Sequence, residues 1–166
     1  MDLSSFAALA VFFLLSFAAA SSGAVFRPGS WYEQLAKPSW TPPNWAFPVV
    51  WTILFCAIAV SGWLIWQREG IDALPLLALF VVHLVVNAAW SGLFFGRNRL
   101  DWAMIDVVLL WLLIAAMIAV FYPVSALAAL LLVPYLIWVS IAAALNFRLL
   151  QLNGARGEAR STRASL

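Results

Sequence analysis

Amide and aromatic side chains follow one another at helical spacing in two long apolar stretches of the sequence. The first stretch carries His83, Asn87, Trp90 and Phe94, and the second carries Tyr135, Trp138, Ala142 and Asn146. Steps of three and four residues place each set on one face of a helix. Such a face offers flat apolar walls with a few hydrogen-bonding groups, as small-molecule pockets commonly do. The two stripes are therefore the first candidates for a binding site.

The same residues also have a purely structural explanation. Asparagines inside a membrane helix bundle often hydrogen-bond to a neighbouring helix, which would account for Asn87 and Asn146. His83 is the only histidine, and metal sites need several ligands, so a helix contact is favoured over metal ligation and no metal is expected. An ion pair between Asp106 and Arg148 is favoured over a proton relay. No nucleophile–base pair indicates ordinary catalysis.

A third group of candidates lies in residues 27–45, a segment that we call the strap. It contains KPSWTPPNW, with prolines at positions 38, 42 and 43. Proline fixes its own φ and pushes the preceding residue toward extended conformations, so the strap has few states to lose on ordering. Ser30 and Glu33 fit a capping box and predict a short helix near 31–36. The tryptophans fit an aromatic belt at a membrane surface, the prolines favour a lid, and the residues alone leave both interpretations open.

The composition determines which elements can hold these candidates. Hydrophobic residues make up 66% of the 166 residues and charged residues 10%, which excludes a soluble domain. A membrane-spanning helix needs about 20 apolar residues. We predict an all-α integral membrane protein with one five-helix transmembrane domain over 1–150 and a basic C-terminal tail over 151–166. The predicted helices lie near 4–26, 46–67, 73–95, 101–121 and 125–148, and the first is interpreted as a helix rather than a cleaved signal peptide because no basic residue precedes it.

The basic residues predict how the bundle is oriented. With five crossings, Arg68 is the only basic residue on the side of the N-terminus, and the other eight lie on the opposite side. Loops that carry many basic residues next to membrane-spanning helices usually lie on the cytoplasmic side, so the strap and the tail should face the cytoplasm. Orientation alone explains the arginines of the tail, and no nucleic-acid partner is expected.

Three segments of the chain resemble one family. WYEQLAKPSWTPPNWAFPVVWTILF at 31–55, NAAWSGLFFG at 87–96, and PYLIW with AAALNF within 134–147 are similar to the TspO/MBR family, which comprises tryptophan-rich sensory proteins and translocator proteins of the peripheral-type benzodiazepine receptor group. The segments fall in the family's order and cover nearly the whole chain apart from the first helix and the tail. The resemblance implies five transmembrane helices, a homodimer, and a pocket under the first loop that binds porphyrins, sterols in some members, and benzodiazepine-type ligands.

The resemblance also implies which residues form the pocket. His83 stands where many members have Gln, and Phe55 where many have Tyr, so ligand polarity should differ. The sterol-recognition pattern is incomplete, since Phe147 directly precedes Arg148. The implied lid residues are Trp31, Trp40 and Pro42. The implied ligand-binding residues are Trp51, His83, Asn87, Trp90, Trp138, Ala142, Leu145 and Asn146.

These observations predict a membrane receptor or regulator that binds protoporphyrin-type tetrapyrroles in a pocket on the cytoplasmic side. The ligand is porphyrin or a similar flat apolar molecule, no further cofactor is required, and the other expected partners are the lipid bilayer and a second copy of the chain. Arg27, Lys37, Arg97, Arg99 and Arg148 are candidates for meeting the ligand's carboxylates. Two alternatives remain: a light-dependent porphyrin-degrading enzyme with Trp51 and Trp138 as redox partners, and a transporter of tetrapyrroles or sterols.

Overall fold

The computed structural model describes residues 3–155, and every regular element within that range is helical. Each of the long helices starts within one residue of its predicted first residue, because each begins where a long apolar run begins. The helices are α1 (Leu3–Val25), α2 (Ser30–Gln34), α3 (Ala46–Glu69), α4 (Leu74–Ser91), α5 (Leu100–Phe121) and α6 (Ala126–Asn153).

Four helical stretches are long and apolar enough to cross a membrane. Three of them are α1, α5 and α6, and the fourth is the continuous 51-residue stretch Ala46–Gly96. Within that stretch a 3-10 turn, Gly70–Ala73, joins α3 to α4. Gly70 has a φ of +54° there, a conformation that a residue with a Cβ rarely adopts. The predicted number of five crossings thus stays a prediction.

The long helices form a closed ring. Helix α1 packs against α3 and α4, α6 packs against α3 and α5, and α4 packs against α5. Helices that are joined by a short connection usually pack as neighbours, which holds for α4 with α5 and for α5 with α6. Helix α3, however, packs chiefly on α1 and α6 rather than on α4.

A close contact explains why α1 packs against both α3 and α4. The Phe12 ring of α1 meets the Phe80 ring of α4 edge-on, with centroids 5.5 Å apart. A Cβ added at Gly62 of α3 would lie 2.7 Å from the Phe12 ring and 2.8 Å from the Phe80 ring. Only glycine leaves room for this three-helix contact, because the distances are below any normal carbon–carbon contact.

The strap is folded against the bundle. Its short helix α2 begins at Ser30, one residue earlier than predicted, and Gly29 is its N-cap. The predicted capping box is wrong: no side chain caps α2, and the Glu33 amide donates to the Gly29 carbonyl at 3.1 Å. Tyr32 and Leu35 are buried in an apolar group that we call the anchor cluster. Its buried members are Tyr32, Leu35, Phe94, Leu100, Ala103, Leu145 and Leu149.

The predicted ion pair between Asp106 and Arg148 is also wrong. The Arg148 guanidinium donates to Gln151, one helical turn further along α6, at 2.6 Å. Asp106 Oδ2 is buried and has no hydrogen-bond partner within residues 3–155. Among the described residues, the salt bridge joins Arg99 and Asp101 instead. Arg148 is exposed and finds a closer partner on its own helix, so it does not turn toward α5.

Helix α6 continues beyond its predicted end at residue 148, as far as Asn153. The first residues of the predicted tail are therefore helical. The rest of that tail, from residue 156 onward, lies outside the described residues.

Candidate functional site

A cavity of about 660 Å³ lies between the strap and the five long helices. Its volume is within the usual range for small-molecule sites, about 300–1,000 Å³. Helix α3 lines it with Phe47, Trp51 and Phe55, α4 with Trp90, and α6 with Trp138. Nine of the 25 described residues that line the cavity are aromatic, which suits a flat apolar ligand.

Five of the eight predicted ligand-binding residues line this cavity. They are Trp51, Asn87, Trp90, Trp138 and Ala142. The spacing of Asn87 and Trp90 places both on the inner face of α4, and that of Trp138 and Ala142 does the same on α6. The structure therefore brings together residues that lie far apart in the sequence.

The other three predicted residues, His83, Leu145 and Asn146, do not line the cavity. His83 is fully buried, with Nδ1 2.9 Å from the Phe80 carbonyl oxygen, and its ring packs edge-on against Tyr135 at 5.6 Å. Leu145 belongs to the anchor cluster, and Asn146 Nδ2 donates to the Leu100 carbonyl at 3.1 Å. His83 thus contacts α6 through its ring, and Asn146 joins α6 to the start of α5 through a hydrogen bond.

The predicted lid residues do not line the cavity either. Trp31 packs edge-on against Phe94, with centroids 6.0 Å apart, Trp40 is 48% exposed, and Pro42 is half-buried. The strap does contribute to the cavity wall, but through other residues: Arg27, Pro28, Tyr32 and Asn44. In α2, Tyr32 points inward, and its neighbour Trp31 consequently points elsewhere.

Asn87 is the polar group most firmly fixed in the cavity wall. Its Nδ2 donates to the Tyr135 hydroxyl at 2.5 Å, so a contact between α4 and α6 sets its orientation. The indole N–H groups of Trp90 and Trp138 are buried and have no acceptor among the described residues. Buried donors without partners are costly, so both side chains have unused hydrogen-bonding capacity close to the cavity.

Arg27 is the only charged residue among the described residues that line the cavity. Its Nε donates to the Ala24 carbonyl at 2.8 Å, which fixes the guanidinium at the end of α1. Lys37 donates to the Glu33 carbonyl and lies over the Tyr32 ring, 4.5 Å from its centroid. Arg99 pairs with Asp101, and Arg148 bonds Gln151. Of the five candidate cations, the cavity contains Arg27.

Comparison with known proteins agrees with this architecture. The TspO/MBR family model matches residues 7–152. Protein CrtK of Rhodobacter capsulatus is 43% identical over 146 residues, which is 87% of this chain and 91% of that protein. The tryptophan-rich sensory protein of Cereibacter sphaeroides is 39% identical over 144 residues, 87% of this chain and 90% of that protein. The pig translocator protein is 41% identical over 131 residues, 76% of this chain and 78% of that protein.

The chain belongs to the TspO/MBR family. The predicted family resemblance is thereby confirmed. Together with the long apolar helices, membership makes the chain an integral multi-pass membrane protein of a family that includes sensory and translocator proteins.

Several cavity residues of this TspO/MBR protein were not predicted from the sequence. Phe47 and Phe55 lie four residues before and four residues after the predicted Trp51, so a stripe at helical spacing could have been found on α3 as well. Phe17 and Phe26 line the cavity from α1 and its end. No amide or imidazole side chain lies between residues 3 and 26, so the mixture of amides and aromatics that marked α4 and α6 is missing there.

A π-helical turn that directly follows α4 explains one further difference from the predicted site. The predicted stripe ended at Phe94, but Phe95 lines the cavity and Phe94 is buried in the anchor cluster. The turn spans Gly92–Gly96, and the Arg97 amide donates to the Gly92 carbonyl at 2.8 Å. A π turn inserts an extra residue per turn, which shifts the following side chains around the helix.

Proposed function

We propose that this TspO/MBR protein is a receptor or regulator that binds a porphyrin-type tetrapyrrole in the cavity between the strap and the helices. The observation that carries the proposal is an aromatic cavity of about 660 Å³ with one cation, Arg27, in its wall. A porphyrin is a broad apolar ring with carboxylates on one edge. Aromatic side chains favour the ring through burial and stacking, and a guanidinium favours a carboxylate through charge-assisted hydrogen bonds.

The position of Arg27 supports one orientation of the ligand. The residue follows α1 and lies where the strap begins, whereas Trp51, Trp90 and Trp138 line the cavity from three other helices. The carboxylate edge would then face the start of the strap, and the ring would lie among the indoles. Trp51 and Trp138, the redox pair of the alternative enzymatic prediction, both line the cavity, and the light-dependent reaction stays a prediction.

Titration of the purified protein in lipid nanodiscs with protoporphyrin tests this proposal. Binding should quench tryptophan fluorescence. Arg27→Gln should weaken binding of the free acid roughly tenfold, the loss of one charge-assisted contact, while Arg97→Gln, an exposed arginine outside the cavity, should not. The dimethyl ester, which has no carboxylate, should bind wild type and Arg27→Gln equally. Failure of wild type to bind either ligand would refute the proposed function.

We also propose that the stretch Ala46–Gly96 crosses the membrane twice, giving five crossings, and that the strap and the C-terminal tail face the cytoplasm. At 1.5 Å per residue a single 51-residue span would be about 77 Å long, far beyond a hydrocarbon core of about 30 Å. The unequal distribution of basic residues supports the orientation. The protein acts as a homodimer, as the family resemblance implies.

Cysteine labelling tests the number of crossings. In a background in which Cys56 is replaced by Ser, single cysteines at Ser39 in the strap and at Ser161 in the tail should react with an impermeant maleimide from the same side. Labelling from opposite sides would mean an odd number of crossings between the two positions and would contradict the five-crossing arrangement.

A further inference from the structure

The strap is attached to the bundle at two kinds of contact. The first is apolar: Tyr32 and Leu35 are buried in the anchor cluster against residues of α5 and α6 such as Leu100 and Leu149. Burial of apolar surface is favourable but non-directional. It keeps the strap near the bundle without fixing the path of its backbone, which forms part of the cavity wall.

The second contact is directional and comes from one residue, Asn153. It is the last residue of α6 and is 1% exposed. Its Oδ1 accepts a hydrogen bond from the Ala36 amide at 2.8 Å. Its Nδ2 donates to the Ala36 carbonyl at 2.9 Å and to the Leu149 carbonyl at 2.9 Å. One amide side chain therefore binds both backbone groups of a strap residue and stays tied to its own helix.

The end of α6 that carries Asn153 is itself held in place. Gly154, with a φ of +73°, ends the helix, and its amide donates to the Leu150 carbonyl at 2.9 Å. The next residue, Ala155, accepts a hydrogen bond from the Leu100 amide at 3.0 Å. Asn153 therefore lies where the end of α6 is joined to the start of α5, and it ties the strap to that junction.

We propose that Asn153 is a positioning residue for the cavity: it holds the strap in the cavity wall and so sets the rates at which a ligand enters and leaves. The part of this inference that concerns ligand rates rests on the proposed function, and the part that concerns the strap does not. The strap residues Arg27, Tyr32 and Asn44 line the cavity on both sides of Ala36 in the sequence. Loss of the hydrogen bonds between Asn153 and Ala36 should therefore loosen the part of the cavity wall that the strap forms, while the helices stay in place.

Two substitutions release the contact from opposite sides. Asn153→Asp keeps Oδ1 but replaces Nδ2 with an oxygen that faces two carbonyl acceptors, so the contact becomes repulsive. Ala36→Pro removes the amide donor from the strap. Leu35 has a ψ of 138°, the extended conformation preferred before proline, so the residue that precedes the new proline is already in a compatible conformation. The control is Gln151→Glu, the same amide-to-carboxylate change at an exposed position two residues away on α6.

Hydrogen exchange measured by mass spectrometry in nanodiscs tests the strap without any ligand. Asn153→Asp and Ala36→Pro should both speed exchange in the peptide covering 31–41, roughly tenfold for loss of this buried contact, and Gln151→Glu should not. If Asn153 only stabilised the end of α6, faster exchange would appear in 145–153 and the strap would stay protected, which would overturn the proposal. If Asn153→Asp does not fold, Ala36→Pro decides the question.

Stopped-flow measurement of protoporphyrin binding tests the consequence for the ligand. Both association and dissociation should be faster in the two variants than in wild type and in Gln151→Glu, with a smaller change in Kd than in either rate. A faster-exchanging strap with unchanged ligand rates would overturn the gating role. If wild type binds no porphyrin, the proposed function fails, and the exchange experiment still decides whether Asn153 holds the strap.

Discussion

The cavity and the anchor cluster are neighbouring regions built from the same helices, and they differ in how completely they are filled. The π-helical turn after α4 contributes Phe95 to the cavity and Phe94 to the cluster, and α6 contributes Ala142 to the cavity and Leu145 to the cluster. In the cluster, side chains of the strap fill the space between α4, α5 and α6. In the cavity, the strap lies along the wall and the space remains open.

This difference predicts that residues of the cluster and residues of the cavity contribute unequally to stability, although they lie on the same helices. A filled region loses both apolar contacts and packing when a side chain is shortened. A region that already contains open space loses less, because some of its side chains are only partly packed. Substitutions at adjacent positions should therefore have different effects, and each of the following experiments compares one residue of a filled region with a matched residue at the cavity.

The largest expected difference in stability is between alanine substitutions at Phe94 and at Phe95. Phe94 is 2% exposed and packs against Tyr32 and Trp90. Phe94→Ala should lower the free energy of unfolding by about 3–5 kcal/mol, the usual cost of removing a buried phenylalanine. Phe95→Ala should cost clearly less, because Phe95 borders open space. Denaturant titration in mixed micelles measures both, and equal losses would mean that the cavity is as tightly packed as the cluster.

A smaller difference in stability is expected between alanine substitutions at Gly62 and at Gly96. A Cβ at Gly62 would press on Phe12 and Phe80, both in the filled core. Gly62→Ala should therefore destabilise the protein by about 1–3 kcal/mol through overpacking. A Cβ at Gly96 would lie 2.8 Å from the Phe26 ring, but Phe26 borders the cavity and has room to move. The thermal unfolding temperature of Gly96→Ala should be close to that of wild type. A decrease as large as that of Gly62→Ala would contradict this expectation.

The sequence was sufficient to predict the helices, because long apolar runs and short polar connections mark their starts. It was not sufficient to predict the order of the helices in the ring. That order depends on the contact of Phe12 with Gly62 and Phe80. These residues lie 50 and 68 positions from Phe12 in the sequence, so the contact leaves no periodic pattern. The spacing of side chains predicts which residues share a face of a helix, but it does not predict which other helix that face packs against.

The same limit explains which site residues could be predicted. Trp138, Ala142 and Asn146 share a face of α6, yet the first two line the cavity and the third binds the Leu100 carbonyl. The stripe continues past the end of the cavity to the level where α5 begins. The contact of Asn153 with the strap could not be predicted from the sequence. Asparagine followed by glycine is common at helix ends, and the partner residue Ala36 lies 117 residues away.

A matched pair of substitutions on α6 tests most directly whether the open space between the strap and the helices is the proposed ligand site. Ala142 lines the cavity, and its neighbour Ile141 is 38% exposed on the outer surface. Protoporphyrin titration, followed by porphyrin fluorescence, should give Ile141→Phe the Kd of wild type. Ala142→Phe should bind at least about tenfold more weakly, because the new ring occupies the site. Wild-type affinity in Ala142→Phe would show that porphyrin binds elsewhere.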